Sequence, residues 1–554
     1  MATVEHRNPA REVLNQPPPL EDRNLFTENV PLVEAVRREG ADWAEERLVA
    51  AGAESGQAVA LELGRLANEN PPVLRTHDRY GNRIDEVEFH PSWHQLLDIS
   101  VRHGTHCLPW REPGAGAHTA RAAMMLCGSG LESGHGCPIS MTYAAVPVLR
   151  KQPELAEEWE PRLASLEYDR RFIPAEQKKG ALFGMAMTER QGGSDVRANT
   201  TVAVPLNGGG AGAEYELTGH KWFCSAPMCD AFLVLAQAEG GLSCFLLPRW
   251  TPDGERNRFH IQRLKDKLGN RSNASSEVEF DAAWARLVGE EGRGVPTIID
   301  MVNHTRLDCV LGSTGLMREA VGQAIHHCSH REAFGKALVD HPLMQNVLAD
   351  LCVESEAATI TALRLARAVD ESPDDDEQRL FKRLGLAVSK YWVCKSATWH
   401  AAEALECFGG NGYVELSGMP RIYREAPLNS IWEGSGNVNC LDVLRAMVRT
   451  PESVEAFFAE VELASGAEPR LDGFVRSVRD ELTHLDGIEF RARRIVERMG
   501  LALQASLVVR HGDPAVADAF CASRLGGDHG RALGTLPAGV DAPAIVERHR
   551  PQAA

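Results

Sequence analysis

Apolar residues along the chain follow two alternating textures. Up to about Lys179, behind a Pro-rich arm at Pro17-Pro18-Pro19, long Ala-, Leu- and Glu-rich stretches dominate, and from Trp43 to Leu66 their apolar positions recur at the spacing of one helix face. From Ala181 to about Gly289 the pattern changes to short alternating or β-branched runs (200–204, 215–217, 232–235, 244–247 and 277–280) broken by Gly, Asn and Pro, which predicts a β domain. Helical periodicity returns after Gly294. Pro342 suits a first turn, and Leu343, Val347, Leu351, Ala358, Ala362 and Leu365 mark one face. A second long helix is predicted through Leu380, Leu384, Val388 and Trp392, joined to the first by the acidic turn Glu371-Ser-Pro-Asp-Asp-Asp376. Beyond Thr450 the pattern is again helical, as at 490–503. The predicted plan is mainly α with a central β domain: an N-terminal arm and helical domain (1–180), a β domain (181–290), a helical bundle (291–449) and a C-terminal helical extension (450–554).

Composition narrows the function classes. The 554 residues exceed one ordinary domain, and 44% hydrophobic with 25% charged residues describes a globular chain with ample core. With 59 basic against 77 acidic side chains the net charge is −18, so no general attraction to nucleic acid or anionic membrane is expected. No apolar run of about 18 residues suggests a membrane span, and the opening MATVEHRNPAREVL lacks a signal-peptide core, so a cytoplasmic location is expected. The 13 cysteines contain no C-x-x-C pair and are expected to be reduced core thiols.

Several familiar motifs fail. Asn207-Gly-Gly-Gly210 has no helix pattern after it and fits a hairpin loop, while Gly114-Ala-Gly116 follows a proline where a buried strand would have to end. His326 and His330 share a helix face but lack a third ligand or a neighbouring general base, so no metal site is expected.

Two segments suggest chemistry. Met187-Thr-Glu-Arg-Gln-Gly-Gly-Ser-Asp195 combines hydroxyls, acids and glycines at the entrance to the β domain, where a backbone without Cβ atoms can approach a flat polar ligand or a phosphate; a polar turn leading into a strand is the alternative. Asn429-Ser-Ile-Trp-Glu-Gly-Ser-Gly-Asn437 places Glu433 between an aromatic residue and a glycine. A carboxylate partly withdrawn from water becomes a stronger base, and a satisfied core glutamate is the alternative.

Together with Gly219-His-Lys-Trp-Phe-Cys-Ser225, Arg331-Glu-Ala-Phe-Gly335, Met344-Gln345 and Phe408-Gly-Gly-Asn-Gly-Tyr413, these stretches resemble the acyl-CoA dehydrogenase flavoprotein family in order and spacing. Leu264-Lys-Asp-Lys-Leu-Gly-Asn-Arg-Ser-Asn-Ala274, Leu14-Asn-Gln-Pro-Pro and 61–72 extend the likeness to the AidB-type, alkylation-response branch over nearly the whole chain. The resemblance implies an N-terminal helical domain, a middle β domain and a four-helix bundle, with FAD between sheet and bundle and an added C-terminal helical domain. It implies that Met187, Thr188, Gly193 and Ser194 meet the flavin, that Ser225 approaches N5, and that Phe223 packs near the ring. It also implies that Ser435 and Asn437 are flavin contacts and that Arg331, Gln345, Gly409 and Gly410 reach the ADP half of FAD in a neighbouring subunit, so that a homo-oligomer, a tetramer, is expected. Glu433 matches the base that removes the α-proton of an acyl-CoA thioester as hydride passes to flavin N5, its own backbone N–H binding the thioester oxygen. Members that oxidise nitroalkanes use Asp there, so glutamate favours dehydrogenation.

In that branch the C-terminal domain is associated with double-stranded DNA. Arg491, Arg494 and Arg498 fall on one helix face with Arg493 beside them, which suggests phosphate contacts. However, Glu489 and Glu497 are interleaved, and 12 Arg, no Lys and 16 acidic residues give 450–554 a net charge of −4, which favours a solvated, salt-bridged face. Three functions remain open at this stage: a dehydrogenase of a short or branched acyl-CoA, a DNA-associated flavoprotein of alkylation defence, and a flavin-binding oligomer with little turnover.

Overall fold

The computed structural model describes residues 13–552; residues 1–12, most of the opening stretch read for a targeting signal, lie outside the described residues. The N-terminal part contains helices α1 (Val30–Arg38), α2 (Glu45–Ser55), α3 (Ala58–Glu69), α4 (Pro91–His103), α5 (Leu108–Arg111), α6 (Ala117–Leu131), α7 (Gly136–Leu149) and α8 (Pro153–Leu163). The periodic stretch from Trp43 to Leu66 divides at Gly56, which sits so close to the Arg23 carbonyl that a Cβ would overlap it. An antiparallel hairpin, β1 (Val73–His77) and β2 (Arg83–Glu88), interrupts these helices. Periodicity misses it because neither strand has a consistently buried face, so no apolar alternation is written into it.

The middle domain comprises β3 (Phe183–Ala186), β4 (Val202–Pro205), β5 (Glu214–Ser225), β6 (Ala231–Ala238), β7 (Gly241–Pro248), β8 (Phe259–Leu264) and β9 (Ser275–Val288). Strands pair in the order β6-β4-β5-β9-β7, and β7 pairs back onto β6, so the sheet closes on itself and leaves few free edges; β3 runs parallel to β6, and β8 pairs with β9. The Asn207–Gly210 run lies in the β4–β5 hairpin loop.

The bundle is α9 (Gly294–His330), α10 (Pro342–Glu371), α11 (Asp376–Glu406) and, after the short α12 (Met419–Glu425), α13 (Gly436–Arg449). Pro342 starts α10, and the Asp375 carboxylate caps α11 by accepting from the N–H groups of Glu377 at 2.8 Å and Gln378 at 3.1 Å. Of the face predicted for α10, Leu351, Ala358, Ala362 and Leu365 are buried, whereas Leu343, in the first turn, is 78% exposed. Helix α9 is the spine: it packs on α6, α7, α10, α11 and β7, and the buried Arg121–Asp308 pair, 2.8 Å between Nη2 and Oδ2, ties α6 to it.

The extension, α14 (Glu452–Glu462), α15 (Pro469–Thr483), α16 (Ile488–His511), α17 (Pro514–Phe520) and α18 (Ala542–Arg548), wraps the bundle. Glu460 of α14 accepts from Arg364 of α10 and Arg510 of α16, each at 2.6 Å, and Trp392 of α11 donates to Gln504 of α16 at 2.9 Å. All 13 cysteines are buried and unpaired. Among the described residues no cluster of His, Cys, Asp or Glu is arranged to hold a metal ion, and no helix is long and apolar enough to cross a membrane.

Gly500 is the point at which α16 meets α11: a Cβ there would lie 2.9 Å from the Cβ of Trp392, an atom that cannot move without its backbone. Gly500→Val is expected to destabilise the fold by about 1–3 kcal/mol; a thermal unfolding midpoint equal to that of the unsubstituted protein would refute this account of the interface.

Candidate active site

The loop 187–195 is pinned from below. Glu189, fully buried, pairs with Lys221 at 2.8 Å and accepts from Thr200 N–H and the Thr201 hydroxyl, each at 2.6 Å. Burial opposes its ionisation, yet Lys221 and these donors hold the carboxyl down at about 2. The Thr188 carbonyl accepts from Trp222 N–H at 2.8 Å, tying the loop to β5, and Gly193 lies against the Thr188 side chain where a Cβ would collide. Thr188 and Gly193 are thereby held beside β5, the strand that carries Phe223, 50% exposed, and the half-buried Ser225, with Met187 and Ser194 next to them in the loop. A half-exposed phenyl ring flanked by hydroxyls and a glycine-lined backbone suits a flat heteroaromatic ring with a polar edge.

Ser225 Oγ lies 3.3 Å from Ser275 Oγ, which accepts from Lys267 Nζ at 2.9 Å. Burial pushes the Lys267 amine down to about 8. Cys137, at the start of α7, is buried, and burial pushes its thiol up to about 11.

Glu433 has a left-handed backbone, φ +57°, followed by Gly434 at +99°. For a side chain larger than glycine this conformation costs about 1–2 kcal/mol, and the turn is held by three neighbours. Lys390 of α11, 1% exposed, donates to the carbonyls of Trp432 at 2.7 Å and Gly434 at 2.5 Å. Arg306 of α9 donates Nε to the Glu433 carbonyl at 3.1 Å, and Asn439 donates to the Ser435 carbonyl at 3.1 Å. Asp442 of α13 orients Arg306 at 2.9 Å and is shared with Arg383 at 3.0 Å. The carboxylate itself is fixed by the Thr305 hydroxyl, which donates to Oε2 at 2.8 Å and leaves Oε1 for another partner. Burial raises the Glu433 pKa above the ordinary carboxylate value, against the pull of Thr305, Lys390 and Arg306.

Thr305, Arg306, Lys390 and Cys137 carried no signal in the sequence beyond helical periodicity. Lys267 lies in the 264–274 segment but was given no role there.

The remaining expected site residues form a second group. Arg331 donates to the Asn15 carbonyl at 2.7 Å, Asn15 also clasps the backbone of Glu332, and Gln16 meets Asn411 at 3.4 Å, so the N-terminal arm draws together Arg331 and the exposed turn at Gly409 and Gly410. Gln345 stands in the first turn of α10 beside them. Around this group Phe334, Leu343, Tyr413 and Leu416 are 98%, 78%, 86% and 80% exposed. Arg331 lies 26 residues beyond Thr305 on α9, about 39 Å at 1.5 Å per residue. One protomer therefore does not bring this group to Glu433. A cleft of about 1350 Å³ opens between the arm, α3, residues 264–271 and residues 408–424; Lys267 is among its walls and Glu433 is not.

The four arginines of α16 do not form a free cationic face. Glu481 of α15 pairs with Arg491 at 3.4 Å, with Arg494 at 3.6 Å and with Arg498, and Arg491 and Arg498 are half-buried. Arg493 instead turns to the bundle and donates Nε to Asn437 Oδ1 at 2.8 Å. The interleaved Glu489 and Glu497 are not the partners; the neutralising acid comes from the preceding helix, which spacing on α16 alone does not reveal.

Family models match along the chain: the adaptive response protein AidB N-terminal domain over residues 15–170, the acyl-CoA dehydrogenase middle domain over 184–283 and the acyl-CoA dehydrogenase C-terminal domain over 292–448. The chain is 45% identical to AidB of Escherichia coli (strain K12), over 92% of this chain and 93% of that protein. It is 32% identical to acyl-CoA dehydrogenase family member 11 of Caenorhabditis elegans, over 73% of this chain and 67% of that one. The crystal structure of Caenorhabditis elegans ACDH-11 in complex with C11-CoA superposes with a TM-score of 0.84 at 27% identity, covering 95% of both chains. With three consecutive family domains and a near full-length relative at this identity, the chain belongs to the acyl-CoA dehydrogenase family, in the group that carries an AidB N-terminal domain.

Proposed function

We propose that the protein is an FAD-dependent dehydrogenase that introduces a double bond between the α and β carbons of an acyl-CoA. The observation that carries this reading is the Glu433 carboxylate: half-buried, raised in pKa and fixed through one oxygen by Thr305, in a turn clamped by Lys390 and Arg306. FAD, when bound, supplies the acceptor of the β-hydride.

The chain's own residues do the rest. Glu433 takes the α-proton on Oε1, while Thr305 keeps the carboxyl group in one orientation. The Lys390 and Arg306 contacts hold the 432–434 backbone so that the Glu433 N–H is presented to the thioester oxygen, where it favours the enolate-like charge that develops as the proton leaves. Thr188, Ser194, Phe223 and Ser225 are the residues that would hold the flavin, the three hydroxyls as its polar partners and Phe223 as an apolar one. C11-CoA in the related ACDH-11 supports an acyl-CoA of medium length as the first substrate class to try. The 39 Å between Thr305 and Arg331, and the exposed apolar side chains around Arg331, Gln345, Gly409 and Gly410, support a homo-oligomer in which that second group serves the cofactor of a neighbouring copy.

Anaerobic addition of medium-chain acyl-CoA to the holoprotein is expected to bleach the oxidised flavin band, and Glu433→Gln, which cannot accept the proton, is expected to slow bleaching by about 10²–10⁴-fold. Bleaching by the variant at the rate of the unsubstituted enzyme would overturn the assignment.

Among the described residues, Thr305→Val removes the only side-chain donor to the charged form of Glu433. The base acts ionised, so the rate is lost as pH falls through its pKa, and removing that donor moves the acidic limb of the kcat/KM profile upward by about one pH unit. An unmoved limb would show that Thr305 does not tune the base.

A further inference from the structure

Two cations lie beside Asn437 with no acid to neutralise them. Arg493, from the C-terminal extension, donates Nε to Asn437 Oδ1 at 2.8 Å, and its Nη2 would lie 3.3 Å from a Cβ on Gly436. Lys395, from α11, reaches the same spot: its Cε would lie 3.4 Å from that Cβ, and its Nζ stands 6.0 Å from the centre of the Tyr391 ring, which forms the floor. Among the described residues neither cation forms an ion pair, whereas Arg491, Arg494 and Arg498 on the same helix all pair with Glu481. Glu497, one turn beyond Arg493, is half-buried and pairs with neither. Two like charges held this close repel, and burial together with Arg493 keeps Lys395 below the ordinary lysine range. Gly436 matters sterically, since any side chain there would fill the space between guanidinium and ammonium.

Such a pair is stabilised by an anion carrying more than one charge. We propose that Arg493 and Lys395 form a seat for the diphosphate of the protomer's own FAD, so that the C-terminal extension is part of the cofactor site. This rests on the reading that Asn437 is a flavin contact. Asn437, oriented by Arg493, closes the seat on one side, and Gly436 keeps it open to a phosphate oxygen. A guanidinium and an ammonium together match the donor geometry that phosphate groups select. The extension thereby gains a role in holding FAD, and one of the four arginines that the sequence placed on a nucleic-acid face is reassigned.

The test compares FAD with riboflavin, which carries the same ring without phosphate, by titrating each into the full-length protein freed of flavin and following flavin fluorescence at two salt concentrations. Arg493→Gln and Lys395→Gln are each expected to raise the Kd for FAD about 10- to 100-fold, to flatten its salt dependence, and to leave the Kd for riboflavin and the melting temperature of the flavin-free protein unchanged. Equal weakening of FAD and riboflavin would overturn the proposal and leave Arg493 as a support for Asn437. An unchanged FAD Kd would also overturn it, and if it came with loss of duplex-DNA binding in Arg493→Gln it would return that residue to the nucleic-acid reading. Failure of the unsubstituted protein to bind FAD would instead remove the flavin-contact reading of Asn437, and the proposal with it.

Discussion

The site depends on holding a glutamate in a backbone conformation that it would not adopt alone. Glu433 sits at φ +57° next to Gly434 at +99°, and its carboxylate meets the Thr305 hydroxyl of α9. A buried lysine that donates to backbone carbonyls on both sides of the residue is a costly group to remove from water, and here its hydrogen bonds are spent on the turn. Arg306, oriented by Asp442, completes the clamp from α9. Three bundle helices therefore converge on one residue, and the geometry of the base follows from the packing of the bundle.

Helix α9 transmits this arrangement to the rest of the molecule. Its Thr305–Arg306 pair meets Glu433, its Asp308 meets Arg121 of α6 one turn on, and its far end carries Arg331 into the arm and the apolar rim. The extension is built into the same body through Glu460, the Trp392–Gln504 contact and the Gly500 approach. Moving α16 would therefore move Arg493 relative to Asn437, which links the outermost helices to the surroundings of the base.

Much of the plan was legible in the sequence because apolar periodicity records burial. The β domain shows as short alternating runs, and α10 and α11 show as long stripes on either side of the acidic turn, although Leu343 at the start of the first stripe is exposed in the single chain. The β1–β2 hairpin was invisible for the same reason, having no consistently buried face to record. Within the site, the 187–195 loop and Glu433 stood out by their residue chemistry but stayed ambiguous, a polar turn and a core glutamate being the alternatives, and Ser225 and Phe223 stood out only through motif resemblance. Thr305 and Lys390 come from two different helices and meet at Glu433 only in three dimensions, and a periodic apolar face does not say which polar residue interrupts it for a purpose. The partner of the α16 arginines was likewise hidden, because Glu481 lies in the preceding helix.

The central claim is that the clamped Glu433 takes a proton from the α carbon, and exchange of that hydrogen with solvent measures this without reference to turnover. A medium-chain acyl-CoA incubated anaerobically with the holoprotein in D₂O and followed by proton NMR should lose its α-hydrogen signal with the unsubstituted protein and keep it with Glu433→Gln. Equal exchange by both proteins would contradict the account and place the base elsewhere.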